Sequence, residues 1–181
     1  MILGIIFGVI LIFVMFLCIY IGILNRLRRL QVKIDEALSG IDVALTKRYD
    51  VLTKMRDAVK GYMDYEKDTI LKTIELRSSM NISEKKDALN EMNRQFSAIN
   101  ALAENYPDLK ASENYKELQG AIINTEEHLQ AARRAYNANV SEYNQMLVVF
   151  PSNIIASSHN MTKSEFFEAD DIKKDDVKIE F

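Results

Sequence analysis

The residue types that most often perform chemistry are sparse in this chain of 181 residues. His128 follows two carboxylates in the string Thr125-Glu126-Glu127-His128, where a metal site could be sought. Neighbouring residues of a helix point about 100° apart, so Glu127 and His128 do not share a face. A single histidine without a second ligand cluster favours a solvated or partner-packed side chain, and His159 lies in a less regular segment.

Other catalytic patterns are missing from the sequence. It contains no glycine-rich phosphate loop, no nucleophile elbow and no zinc-ligand spacing, and its one cysteine, Cys18, lies in an apolar run. The formal net charge is −3, and no basic face with interleaved aromatic residues occurs. We therefore expect no enzymatic activity, no cofactor, no metal, no small-molecule substrate and no nucleic-acid partner.

Two charged residues of the first predicted helix lie where an apolar residue is expected or close beside it. Arg48 occupies a core position of a heptad series, and Asp42 lies on the adjoining flank. A buried charge is tolerated only when it is paired. These residues form either salt bridges along the helix flank, the favoured interpretation, or a polar layer that joins Arg48 or Asp42 to Arg133 or Asn137 and selects how subunits assemble.

The N-terminal 25 residues have the properties of a membrane anchor. Residues 2–24 contain no charge and no proline, and as a helix they reach about 35 Å, more than the hydrocarbon thickness of about 30 Å. A cleaved signal peptide is the alternative, but it requires a basic start, a shorter apolar run and small residues before the cleavage site. The sequence therefore predicts a retained transmembrane helix in domain 1–25, with the lipid bilayer as partner.

Positive charge follows this apolar run directly. Arg26, Arg28, Arg29 and Lys33 crowd its C-terminal flank, whereas the other flank offers only the α-amino group of Met1. Cytoplasmic flanks of membrane helices carry the excess of lysine and arginine. We expect a single-pass protein of the cell (inner) membrane, with its N-terminus outside and its helical domain in the cytoplasm.

Gly4 and Gly8 have the small-xxx-small spacing that lets two membrane helices approach closely. They are candidates for contact between the anchors of two copies, although glycine is also common in membrane helices in general.

Residues 26–155 have the apolar periodicity of long helices. Their heptad positions include Leu27, Ile34, Ile41 and Met55 in the first helix, and Tyr115, Ile122, Leu129, Tyr136, Tyr143 and Phe150 in a later one. Short connections favour antiparallel neighbours. The sequence predicts an all-α fold: a transmembrane helix continuous with an elongated antiparallel bundle of three or four helices, with coiled-coil-like packing.

Polar residues and two prolines indicate where these helices end. We expect the first helix to reach about Ser79, and Ser83 to cap a second. A turn or irregular connection is predicted at Tyr106-Pro107-Asp108-Leu109-Lys110, followed by a third helix that Ser112 caps and that closes at Phe150-Pro151.

Residues 156–181 predict an irregular acidic tail. Val177, Ile179 and Phe181 alternate at its end, which is typical of a short strand or a docking peptide, though a frayed terminus is the favoured alternative.

Several distinctive strings are spread over the chain: Asp35-Glu36-Ala37, Ile41-Asp42-Val43, Val59-Lys60-Gly61-Tyr62, Pro107-Asp108-Leu109-Lys110-Ala111, Ala132-Arg133-Arg134-Ala135-Tyr136-Asn137 and Phe150-Pro151-Ser152-Asn153. Together they resemble the strings of the LemA family of bacterial membrane proteins. Two departures are Leu38, where the family often has tryptophan, and the lack of a proline near Thr53. The resemblance implies an N-terminal anchor, an elongated helical domain and no known enzymatic activity.

The residues and the resemblance favour a non-enzymatic, membrane-anchored protein that self-associates as a homo-oligomer and organises or remodels the adjacent membrane. The alternative is a membrane-bound adaptor or sensor that docks an unidentified signalling or proteolytic partner through its helical surface or C-terminal tail.

Overall fold

The computed structural model describes residues 1–61 and 80–168, and these residues are all-α without strands. Along them lie the helices α1 (Ile2–Lys60), α2 (Ile82–Glu104), α3 (Pro107–Ala111), α4 (Glu113–Met146) and α5 (Ser152–Ser158). The predicted all-α class is confirmed. So is the continuity of the apolar N-terminal run with the following residues, since α1 passes Arg26 without a break.

The heptad series predict the core well. All but one of the positions named above are buried: Leu27, Ile34, Ile41 and Met55 in α1, and Tyr115, Ile122, Leu129, Tyr136 and Tyr143 in α4. Phe150 is the exception, with 75% of its surface exposed. Because α4 ends at Met146 rather than at Phe150, the helical spacing no longer directs this side chain into the core.

The chain divides into two compact units. The first unit consists of residues 1–37 and 135–166. In it α1 and the end of α4 run antiparallel: the Asn139 side-chain amide donates to the Lys33 carbonyl at 3.1 Å, and Arg26 forms an ion pair with Glu142 at 3.0 Å. The buried residues of this unit include Leu30 of α1 and Val140 of α4.

The second unit comprises, of the described residues, 38–61, 80–134 and 167–168. Its core is built by four helices, with Leu52, Met55 and Val59 from α1, Ala88, Met92, Ile99 and Ala103 from α2, Leu109 from α3, and Tyr115 and Ile122 from α4. The Tyr115 hydroxyl donates to the Asn100 side-chain oxygen at 2.9 Å, which satisfies the buried phenol.

Within this second unit α1 and α2 run in the same direction. Asp42 of α1 pairs with Lys85 of α2. Arg48, six residues later in α1, donates to Asn93, which is likewise later in α2 than Lys85. Arg48 also reaches Glu126 of α4, so that α4 runs opposite to α2, as the Tyr115 to Asn100 bond requires. The preference for antiparallel neighbours therefore fails for α1 and α2, because the segment 61–81 that joins them is not a short connection.

The start of α2 differs from the prediction by two residues. The N-cap is Asn81, whose side-chain oxygen accepts from the Glu84 N–H at 2.9 Å, while the Asn81 N–H donates to the Glu84 carboxylate at 2.7 Å. This reciprocal capping box satisfies two backbone donors, and it leaves the predicted cap, Ser83, inside the helix. The predicted end of the first helix near Ser79 lies outside the described residues.

The connection at Pro107 is the short helix α3, where the sequence predicted a turn. Proline suits the first helical position because its missing N–H would have no helical partner there. The predicted cap at Ser112 is confirmed, since its hydroxyl oxygen accepts from the Tyr115 N–H at 3.3 Å. Beyond α4 the chain forms one more helix, α5, which begins after the predicted end of the third helix and extends over the first three residues of the predicted irregular tail.

Candidate functional site

The N-terminal part of α1 is the most apolar surface of the described chain. Its side chains from Ile2 to Ile21 are exposed, and the most apolar stretch of 18 residues in this helix contains no buried residue. Among the described residues, α1 is the one helix long and apolar enough to cross a membrane. A core helix of a soluble protein would bury such side chains, whereas most of those in the apolar run are not covered by any described residue.

Gly4 and Gly8 lie within this apolar surface, and open space surrounds both. A methyl group added at either position would meet no atom of the described chain within 4 Å. Nothing in the structure approaches the two glycines, so contact between anchors of two copies stays a prediction.

The cationic flank lies where α1 leaves the apolar run. Arg26 pairs with Glu142, although both side chains keep about half or more of their surface in solvent. Arg28 and Arg29 are exposed, and Lys33 contributes its carbonyl oxygen to the Asn139 amide. A surface pair of this kind adds little stability, about 0 to 1 kcal/mol, and the charges of this flank remain exposed to solvent.

An open groove of about 640 Å³ lies in the first unit beside this flank. Its lining includes Arg28, Asp35, His159 and Lys163, so it presents both signs of charge. His159 is fixed there by a hydrogen bond of 2.9 Å between its Nε2 atom and the Tyr20 hydroxyl. His159 therefore has Tyr20 as a hydrogen-bond partner, which its position in the sequence did not indicate.

Two buried tyrosines of α4 organise the same unit. The Tyr143 hydroxyl accepts from the Gln31 side chain at 3.0 Å, and burial raises the pKa of Tyr143. The Tyr136 hydroxyl donates to the Glu165 carbonyl at 2.9 Å. Burial, and then the carboxylates of Glu165 and Asp35, raise the pKa of Tyr136, which keeps the phenol neutral and able to donate.

Buried cations of the second unit have partners in two groups, Arg48 with Asn93 and Glu126, and Lys85 with Asp42, which we together call the charged network. The Arg48 guanidinium, 4% exposed, donates to Glu126 at 2.5 Å and to Asn93 at 2.8 Å. Lys85 is equally buried and pairs with Asp42. Both cations are thus enclosed, whereas both carboxylates remain partly in solvent.

The network accommodates its cations unevenly. Arg48 Nε is buried and has no hydrogen-bond partner among the described residues. A buried donor without a partner costs about 1–3 kcal/mol, which offsets part of what the two made bonds contribute. The network therefore fixes which helix faces meet more than it adds net stability.

The other two polar-layer candidates lie elsewhere. The Arg133 guanidinium carbon lies 5.4 Å from the centre of the Phe167 ring, a cation–π contact, and its Nε is buried without a described partner. Asn137 belongs to the first unit. The structure instead pairs Arg48 with Asn93 and Glu126, and Asp42 with Lys85. Sequence reasoning did not name these partners because it could not show which faces of α1, α2 and α4 meet.

The remaining sequence candidates have no site around them in the described part of the chain. His128 is exposed, and no group of three or more histidine, cysteine, aspartate or glutamate side chains in residues 1–61 and 80–168 is placed to hold a metal ion. The tail candidates Val177, Ile179 and Phe181 lie outside the described residues.

Comparisons with known proteins extend over most of the chain. The model of the LemA family matches residues 37–181. A protein of Metamycoplasma hominis named Protein LemA is 34% identical over 167 residues, which cover 90% of this chain and 76% of that protein. Two proteins of Paramagnetospirillum magneticum, named Magnetosome protein MamQ 1 and MamQ 2, are each 28% identical over 68 residues, 38% of this chain and 25% of each relative.

Proposed function

The chain belongs to the LemA family, and on that premise we propose that it is a non-enzymatic, membrane-anchored helical protein that associates with copies of itself and organises or remodels the membrane beside it. The observation that carries this proposal is the exposed apolar part of α1.

Physical reasoning supports insertion of this segment into a bilayer. Leucine, isoleucine, phenylalanine and valine each favour the membrane centre by about 0.3 to 0.6 kcal/mol, and residues 2–24 consist mostly of these types. Helix formation satisfies their backbone groups, as the hydrocarbon requires. The same side chains in water would form an apolar patch much larger than soluble monomers expose.

The cationic flank supports the orientation. With Arg26, Arg28, Arg29 and Lys33 next to the segment, the positive-inside tendency favours the helical domain in the cytoplasm and the N-terminus outside the cell membrane.

Self-association is supported by open surface in the anchor. Gly4 and Gly8 share a face of α1 and have free space beside them, which a second anchor of the same sequence would fill.

The direct test is the assembly state of the full chain in lipid. We expect light scattering of protein in nanodiscs or mild detergent to give a mass above one chain, and electron microscopy of protein-loaded vesicles to show altered shapes. The double variant Gly4→Leu/Gly8→Leu should lower the mass because leucine blocks close helix approach, whereas Gly40→Leu, on the same helix and also in open space, serves as control. A monomer that leaves vesicles unchanged would overturn the proposal.

One observation favours the adaptor alternative. The segment before the C-terminal residues is held against α4, because Asn144 exchanges two hydrogen bonds of 2.9 Å with the backbone of Ser164. Residues 169–181 therefore follow from a fixed point, as a docking peptide would. Deleting 169–181 should remove a bound partner under this alternative, and unchanged copurifying proteins would rule the tail out.

A further inference from the structure

The corner between α4 and α5 exposes an apolar cluster. Four apolar side chains there are each between 56% and 75% exposed: Val148, Val149, Phe150 and Ile154. All four belong to one stretch of seven residues, which is part of the first unit. Few positions in the described chain outside the apolar part of α1 expose large apolar side chains, and none of those is grouped in this way.

The corner holds these side chains outward. The Ser152 hydroxyl lies 2.6 Å from the Met146 carbonyl and 2.8 Å from the Val149 carbonyl, which ties the end of α4 to the start of α5. On the opposite face of α5, Ile155 and Ala156 are buried. The exposed cluster is therefore the outer face of an ordered turn whose inner face is packed.

The contacts of the first unit place this corner beside the end of the apolar run. Along α4, Asn139 meets Lys33 and Glu142 meets Arg26, so the helix advances toward the N-terminus of α1. After the corner, His159 binds Tyr20, a residue inside the apolar run. Val148 to Ile154 lie in sequence between these contacts, next to the last turns of the run.

We propose that the corner formed by Val148, Val149, Phe150 and Ile154 is a second membrane contact, which inserts into the headgroup and upper acyl region of the leaflet that α1 enters from the domain side. The inference rests on the proposed anchoring of α1. Apolar faces of this kind lie about 5–10 Å deep at the boundary between headgroups and acyl chains.

The unit that contains the corner also carries cations that suit a lipid surface, although Asp35 lines the same groove. Arg28 and Arg29 of α1 are exposed, and Lys163 lines the groove that adjoins them. Interfacial elements bind anionic bilayers by combining an apolar face with cations. The apolar cluster and the cations belong to one unit, so one leaflet can receive both.

The chain offers a clean reporter because it contains no tryptophan. The full-length variants Phe150→Trp and Ile154→Trp place a single indole at the corner, Phe13→Trp places it within the apolar run, and Ile123→Trp places it on the exposed face of α4 in the second unit. Each is reconstituted into vesicles of equal parts phosphatidylethanolamine and phosphatidylglycerol, with bromine on shallow or deep acyl carbons. Circular dichroism verifies that helicity is unchanged.

We expect the corner tryptophans to emit at shorter wavelength than the Ile123→Trp protein and to lose fluorescence chiefly to shallow bromine. Phe13→Trp should lose fluorescence chiefly to deep bromine, and Ile123→Trp to neither. Quenching of Phe13→Trp without quenching at the corner overturns the second contact but leaves the anchor. Absence of quenching in Phe13→Trp overturns the anchor itself.

A second copy of the chain is the competing occupant of the cluster. In that case the blue shift at Phe150→Trp would appear without bromine quenching, and it would fade as the protein is diluted in excess lipid. This outcome overturns membrane insertion of the corner in favour of an interface between copies.

Discussion

Arg48 illustrates how a charge enters an apolar helix face. It occupies a heptad position with almost no exposed surface, and it is retained there by Asn93 and Glu126 from two other helices. An enclosed guanidinium loses its hydration, so its bonds first offset that loss before they add stability. Its Nε has no hydrogen-bond partner among the described residues, which adds to the cost of burial.

Removing one partner of Arg48 should therefore cost more than removing Arg48. We expect Glu126→Leu to lower the free energy of unfolding by about 1.5–3 kcal/mol, because the cation stays buried, and Arg48→Met by less. Arg94→Met, which breaks the exposed pair with Glu91, is the matched control and should cost at most about 1 kcal/mol. Denaturation of the full chain in detergent, followed by circular dichroism, measures all three, and a greater loss for Arg48→Met would contradict this account.

The buried tyrosines predict loss of stability in alkali. The pKa values of Tyr115, Tyr136 and Tyr143 are raised above the ordinary 10.0, chiefly by burial. A raised folded pKa contributes stability that is fully present below pH 10.0 and is lost as the pH rises through the folded pKa. The denaturation midpoint should thus be steady below that value and fall above it.

Tyr143→Phe provides the check on this alkaline loss. It removes one titrating phenol while keeping the ring in the core, so its midpoint should fall less steeply in alkali than that of the parent chain. Ultraviolet absorbance of tyrosinate, recorded through the same titration, should show ionisation and unfolding together. Equal slopes for the variant and the parent would exclude Tyr143 as a contributor.

The helices follow from local patterns, but their first and last turns depend on individual hydrogen bonds. Both Asn81 and Ser83 are residue types that cap helices, but only Asn81 is followed three residues later by a carboxylate, a signal in the sequence that the prediction of Ser83 did not use. Asn81 is the N-cap because Glu84, three residues later, completes the reciprocal pair of hydrogen bonds between their side chains and backbone N–H groups. The carboxylate therefore selected the cap.

The variant Asn81→Ala tests this selection. We expect it to lower the free energy of unfolding by about 1 kcal/mol, because two N–H groups at the start of α2 lose their partners. Ser83→Ala, inside the helix, should change the value by a few tenths of a kcal/mol at most. Hydrogen exchange in the first turn of α2 should accelerate in Asn81→Ala alone, and equal acceleration in both would contradict the assignment of the cap.

For the whole molecule, the proposed anchor and its cationic flank predict that the N-terminus and the helical domain are accessible from opposite sides of the membrane. Cys18 is the sole cysteine, so Cys18→Ala gives a background for single reporters. In that background we expect Ile2→Cys to react with an impermeant maleimide applied from outside. Ser97→Cys, at an exposed site of α2, should react only after the membrane is opened.

The pattern of labelling discriminates between orientations. Labelling of Ser97→Cys from outside, without labelling of Ile2→Cys, would show the reverse orientation. Labelling of both in sealed cells would show that the chain does not cross the membrane. Ala101→Cys, which lies on an exposed face of the same helix, controls for local reactivity at Ser97.

The sequence by itself determined the apolar run of α1, its cationic flank, the all-α class and the buried heptad series. These properties follow from residue type and helical period within one stretch of chain, so no distant partner is needed to read them. Ser112 belongs with them, since its cap involves residues three apart.

Only the tertiary structure decided which helix faces meet. The parallel course of α1 and α2, the choice of Lys85, Asn93 and Glu126 as partners of Asp42 and Arg48, and the binding of His159 to Tyr20 all join residues far apart in sequence. Several helix arrangements bury the same heptads, and packing selects one of them. Phe150 marks the boundary between the two kinds of information: its heptad position predicted the core, and the end of α4 four residues earlier turned it outward.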